Sequence, residues 1–133
     1  MSAQDGANAP SPAEAVTHTV LVVEDEADLR EMMRDSLELN GYAVVTAEDG
    51  QDALDKIAGI DHLCLVILDL IMPVMNGWDF LERMRQRAEL ASIPVVIHSS
   101  APDRAPEGVS RVLRKPVMFE RLLSIVREYC AVG

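Results

Sequence analysis

Residues 65–77 read LVILDLIMPVMNG. Four apolar residues run straight into Asp69, Met72 and Pro73 follow, and Asn76-Gly77 supplies a turn. An unbroken run of aliphatic residues fits a strand covered on both faces. A carboxylate set directly behind such a run has to surface at the strand's carboxyl end. What that end of the molecule holds is decided by the segments on either side.

The same alternation recurs along the chain. VLVV (20–23) fits a buried strand, and Leu29, Met32, Met33, Ser36 and Leu37 then recur at helical spacing up to a stop at Asn40-Gly41. YAVVTA (42–47) predicts a second strand, and Ala53, Leu54, Ile57 and Ala58 a short helix closed at Gly59. LCLVIL (63–68) is the third and most apolar strand. A helix from about Gly77 to Ala88 turns Phe80, Leu81 and Met84 inward. IPVVIH (93–98) and SRVLR (110–114) predict strands four and five, and a last helix begins at Val117 with Leu122, Leu123, Ile125 and Val126 inward. Strands alternating with helices predict an α/β fold with a parallel sheet. Such sheets bind ligands outside the carboxyl ends of their strands, at a topological switch point.

The bulk numbers bound the rest. A length of 133 residues predicts one domain, with residues 1–17, rich in Ala, Ser and Pro, as a disordered leader and 18–133 as the folded unit. A net charge of -10 disfavours nucleic acid and anionic membrane surfaces as partners. No apolar run reaches the roughly 18 residues that span a bilayer. Cys64 and Cys130 show no metal-ligand spacing, and their expected state is two reduced thiols in a cytoplasmic protein. Met32, Met33, Met72, Met75 and Trp78 are expected to pack, and His98 to be a strand residue without catalytic work.

Several polar groups are then expected at one rim. Glu24 and Asp25 end the first strand, Asp69 the third, Ser99 and Ser100 the fourth, and Lys115-Pro116 the fifth. Clustered carboxylates repel, by about 4 kcal/mol for a pair 4 Å apart at an effective dielectric near 20. The cluster therefore needs a cation or raised pKa values. A divalent ion with oxygen ligands is the simplest remedy. Metal, ammonium and hydroxyl together are what stabilises a transferring phosphoryl group, with Asp69 as candidate nucleophile.

From about Thr19 to Tyr129 the sequence resembles the receiver domain of two-component response regulators, through VVEDE (22–26), ILDLIMPVMNG (67–77), IPVVIHSSA (93–101) and LRKP (113–116), in that order. The resemblance implies a flavodoxin-like, doubly wound five-stranded sheet of order 2-1-3-4-5 with nominally five helices. It implies Asp69 as phospho-acceptor, and Mg²⁺ (or Mn²⁺) held by Asp25, Asp69 and the Ile71 backbone carbonyl, with Glu24 on metal water. It implies Ser99 as a switch hydroxyl, a role Ser100 could share, and Lys115 pairing with Asp69 or its phosphate, before a cis Lys115–Pro116 bond. The implied partners are a histidine kinase or phosphotransfer protein and a downstream protein target, for a monomer or weak dimer. No independent substrate turnover is implied beyond the domain's own phosphorylation and dephosphorylation.

Departures from the family pattern carry their own expectations. Only 16 positions separate Ser99 from Lys115, and they include Pro102, Pro106 and Gly108, poor residues for a helix interior. The fourth helix is therefore expected to be short, irregular or mobile. Val112 stands where the family often has an aromatic rotor. Ile71 and Ala101, each two positions after a site residue, cannot orient a water, which predicts slow self-dephosphorylation. The chain ends at its last helix, so a stand-alone receiver is expected, with a degenerate receiver acting as a phosphorylation-independent binding module as the alternative. A phosphatase with an aspartate nucleophile typically has a second aspartate at the position of Ile71. A flavodoxin-like cofactor binder would need a phosphate cradle where Glu24-Asp25-Glu26 stands.

Overall fold

The computed structural model describes residues 18–130; the expected leader, 1–17, lies outside them. Five strands form one parallel sheet in the order β2-β1-β3-β4-β5. They are β1 (Thr19–Val23), β2 (Ala43–Ala47), β3 (Leu63–Leu68), β4 (Val95–Ser99) and β5 (Arg111–Arg114). Four α-helices join and cover them: α1 (Ala27–Leu39), α2 (Gly50–Ile57), α3 (Gly77–Arg85) and α4 (Phe119–Tyr129). The fold is the flavodoxin-like, doubly wound sheet, and the 2-1-3 order puts its switch point between β1 and β3.

Strand alternation divides the core in two. Leu21, Val23, Val66, Leu68, Val95 and Ile97 face one side, under Ala53, Leu54 and Ile57 of α2 and Phe80, Leu81 and Met84 of α3. Val20, Val22, Leu65, Ile67 and Val96 face the other, under Met33 and Leu37 of α1 and Leu122, Ile125 and Val126 of α4. The central strands β1 and β3 are almost wholly apolar because both of their faces are covered, whereas the edge strand β5 carries Arg111 and Arg114. Two helices are capped by side chains at their starts: the Asp49 carboxylate accepts the Asp52 N–H at 2.8 Å before α2, and the Asn76 side-chain oxygen accepts that of Asp79 at 2.9 Å before α3. Helix α1 stops where Gly41 takes φ +93°.

Three expectations need correction. The helix from Gly77 ends at Arg85 rather than Ala88, and continues as turns. Met32 is half exposed, so it does not pack as Met33, Met72 and Met75 do. Cys64 and Cys130 are not reduced thiols: they form a disulfide with Cα atoms 5.5 Å apart. The pairing joins the start of β3 to the end of α4 across 66 positions of sequence. Only the completed topology makes them neighbours.

The shortened segment between β4 and β5 contains one 3₁₀ turn, Pro102–Arg104. It is tied down rather than loose. The Trp78 indole N–H donates to the Arg104 carbonyl at 2.8 Å, and the Arg104 guanidinium lies 4.8 Å from the Trp78 ring centroid. The Arg85 guanidinium donates to the Glu107 carbonyl at 2.9 Å. Ala105 and Val109 close over the α2–α3 side of the core, where a helix would otherwise lie. Trp78 thus packs, as expected, and also anchors this strap.

Candidate functional site

The carboxyl ends of β1, β3, β4 and β5 bring the predicted polar residues to one rim. Glu24 and Asp25 leave β1, Asp69 leaves β3, Ser99 closes β4 and Lys115 leaves β5. Backbone bonds fix these exits: Glu24 N–H donates to Ala47 O, Asp69 N–H to Val23 O and Lys115 N–H to Ser99 O, all at 3.0 Å. The side chains therefore depart from a rigid sheet.

Glycine at position 77 lets the next loop close under Asp69. Its N–H donates to the Leu70 carbonyl at 2.8 Å, and a Cβ there would collide with the Asp69 carbonyl oxygen and stand 2.9 Å from Leu70 Cα. Between them the chain takes a left-handed turn at Val74, φ +65°. A β-branched residue is strained in that region.

Oxygen ligands converge here. Among the described residues, Glu24, Asp25 and Asp69 each offer one carboxylate oxygen, all within 4.8 Å of one another. Glu24 and Asp69 are buried and Asp25 is exposed. The Lys115 ammonium sits 2.8 Å from Glu24 Oε1 and 3.2 Å from Asp69 Oδ2. Glu24 Oε1 is nevertheless buried without an aligned hydrogen-bond donor, while Oε2 accepts the Glu26 N–H at 3.1 Å. One ammonium facing three carboxylates leaves the cluster short of positive charge. A hard divalent cation fits this donor set.

Burial dominates the electrostatics of the buried pair. Burial raises the Glu24 pKa, and Lys115 only partly offsets it. Burial likewise raises Asp69, against the Lys115 charge and a hydrogen bond from the Ile71 backbone. For Lys115, burial alone would lower the pKa, but Glu24 and Asp69 outweigh it and the net shift is upward.

Ser99 is buried and its hydroxyl accepts the Ala101 N–H at 3.0 Å, whereas Ser100 is exposed. Ile71 presents a half-exposed side chain at the rim. Val112 is 41% exposed, so no rotor is packed at that position. One supporting residue escaped sequence reasoning. Arg30, one turn into α1, donates to the Glu24 and Asp25 carbonyls at 2.7 and 3.3 Å and fixes the acidic turn. Nothing in its spacing sets it apart from a surface arginine. His98 is buried with both ring nitrogens unpartnered, and its pKa is lowered to about 4 by burial and then by the Lys115 charge. It lies within β4, as the strand residue the sequence predicts.

The response regulator receiver domain family matches residues 20–127. Curated relatives include the response regulator MprA of Mycolicibacterium vanbaalenii, 36% identical over 115 residues (81% of this chain, 48% of that protein). The transcriptional regulatory protein CpxR of Escherichia coli is 32% identical over 111 residues (81% and 47%). The chain spans about half the length of these relatives. Among solved structures, the chemotaxis protein CheY4 of Vibrio cholerae is 30% identical with a TM-score of 0.76, covering 86% of this chain and 99% of that one. The response regulator TrrA of Thermotoga maritima, solved in complex with Mg(2+)-BeF, is 26% identical with a TM-score of 0.74, covering 85% and 99%. The match takes in all five strands and every rim residue from Glu24 to Lys115, so the chain belongs to the response regulator receiver domain family.

Proposed function

We propose that the chain accepts a phosphoryl group from a phosphohistidine donor onto Asp69 and signals through a protein partner. The observation that carries this is the buried Asp69 carboxylate between an acidic cluster and the Lys115 ammonium. Glu24, Asp25, Asp69 and the Ile71 carbonyl would hold Mg²⁺ or Mn²⁺. When bound, the ion neutralises charge on the phosphoryl oxygens. The Mg(2+)-BeF complex of the Thermotoga relative supports the same assignment here.

The protein's own groups do the rest. An Asp69 oxygen forms the new O–P bond as the donor's N–P bond breaks, and the imidazole leaves with the electron pair. Lys115 is within ion-pair reach of Asp69 before transfer and pairs with the phosphoryl oxygens after it. The Ser99 hydroxyl exchanges its Ala101 partner for a phosphoryl oxygen. That exchange pulls on the strap beginning at Pro102, so the strap and β5 form the surface that changes. The phosphoprotein works in the cytoplasm, as a monomer or weak dimer, with no nucleic acid or membrane as its direct partner. It turns over no separate substrate.

The test is phosphoryl transfer from a labelled phosphohistidine protein. Label is expected to move to this chain with Mg²⁺ present, and to stay on the donor with chelator or with Asp25→Asn. Transfer that ignores both would contradict the proposal. A chain that binds Mg²⁺ and a partner yet accepts no phosphoryl group would be a phosphorylation-independent binding module.

A further inference from the structure

The Cys64–Cys130 pair lies at the opposite pole of the sheet from Asp69. Cys64 is five residues upstream of Asp69 in the same strand direction, about 16 Å at strand rise. Its placement is built by an irregularity. In the β1–β3 ladder Thr19 pairs with Leu63 and Val20 with Leu65, so Cys64 is the extra residue of a bulge. Bulges re-aim side chains. Here Leu63 packs on the α2–α3 side, while Cys64 and Leu65, adjacent in sequence, both pack on the α1–α4 side. Without the bulge, strict alternation would not put both there. Cys130 is the C-cap of α4, buried, with its N–H on the Val126 carbonyl at 2.7 Å.

The site also suits the reduced state. Cys64 Sγ lies 3.3 Å from the Thr19 carbonyl oxygen. A disulfide sulfur has no proton to donate, but a thiol there would find its acceptor in place. We propose that Cys64 and Cys130 are a reversible redox modification site, a staple that closes or opens on α4 without disturbing the phosphoryl site. Disulfides are uncommon in a glutathione-buffered compartment, and those that occur there are usually reversible ones. A low-molecular-weight thiolate attacks the half-buried Cys64 sulfur, the S–S bond breaks, and Cys130 leaves as thiolate and takes a proton. A second thiol resolves the mixed disulfide at Cys64. The balance is one protein disulfide plus two thiols giving two protein thiols plus one small disulfide. The opened state frees the last turn of α4, which carries Glu128. That residue pairs with Arg111 of β5 at 2.8 and 3.0 Å.

This proposal stands independently of phosphorylation, and its test separates the two. The native protein is equilibrated across reduced and oxidised glutathione, denatured in acid, labelled with a maleimide and weighed intact. Two labels are expected at the reducing end, none at the oxidising end, and the same curve from either direction. The reduced protein is expected to melt about 15 °C lower, as opening a closed loop of this length predicts. Its phosphate adduct is expected to match that of the oxidised protein. The Cys64→Ser/Cys130→Ser double variant is expected to melt near the reduced protein and to ignore glutathione. Two labels at every poise, no label at any poise, or a melting point independent of poise would each overturn the proposal.

Discussion

Lys115 carries the charge balance of the rim: its ammonium is within 3.2 Å of two buried carboxylates. Removing it leaves them uncompensated, so Lys115→Ala is expected to cost about 3 kcal/mol near neutral pH by urea denaturation, and Mg²⁺ to recover part of that loss. A loss below about 0.5 kcal/mol, the range of an ordinary surface change, would show that the pair is not structural. Gly77 shapes the same site through backbone. Gly77→Ala places a Cβ against the Asp69 carbonyl, and about 2 kcal/mol or more is expected from the displaced loop. His98 sets a pH dependence. Its folded pKa is about 4, against about 6.5 unfolded. Between those values the unfolded chain binds the extra proton, so stability falls as pH is lowered through that window. The expected loss from about pH 7.5 to 5 is about 2 kcal/mol. Denaturation of His98→Leu at both values checks it; an equal loss in the variant would assign the effect elsewhere.

At the scale of elements, the strap between β4 and β5 replaces a helix, and α3 holds it. Trp78→Ala removes both the indole hydrogen bond and the ring under Arg104. Loss of about 2 kcal/mol is expected, with faster amide exchange at Arg104 and Ala105 and little change in β1 or β3. Uniform protection across the strap in the variant would mean that Trp78 does not anchor it. The prolines and Gly108 made the missing helix legible in the sequence. Its anchoring was not, because Trp78 and Arg104 meet only after α3 and β4 have been laid side by side. The strands and helices themselves were legible within about three residues, since most apolar runs face a covered sheet and each helix has one apolar stripe. The disulfide was hidden for the opposite reason: a bulge and a helix end create that contact, and neither leaves a local signal.

For the whole molecule, the rim residues were legible because parallel strands put every carboxyl end on one side. Position along the chain therefore became position in space for Glu24, Asp25, Asp69, Ser99 and Lys115. What the pattern did not give were the groups that support them, Arg30 and the close approach at Gly77. The same rim predicts how long the modified state lasts. Ile71 and Ala101 offer no hydrogen bond to an attacking water, so the isolated phosphoprotein is expected to decay over minutes or longer. Decay within seconds would contradict that. The central claim is that Asp69 accepts a phosphoryl group, and intact mass measures it most directly. The protein and its Asp69→Asn variant are incubated with Mg²⁺ and, separately, acetyl phosphate and a phosphohistidine donor. One phosphate adduct on the wild type and none on the variant is the predicted result. No adduct from either donor, with Mg²⁺ bound, or an adduct on both proteins, would contradict it.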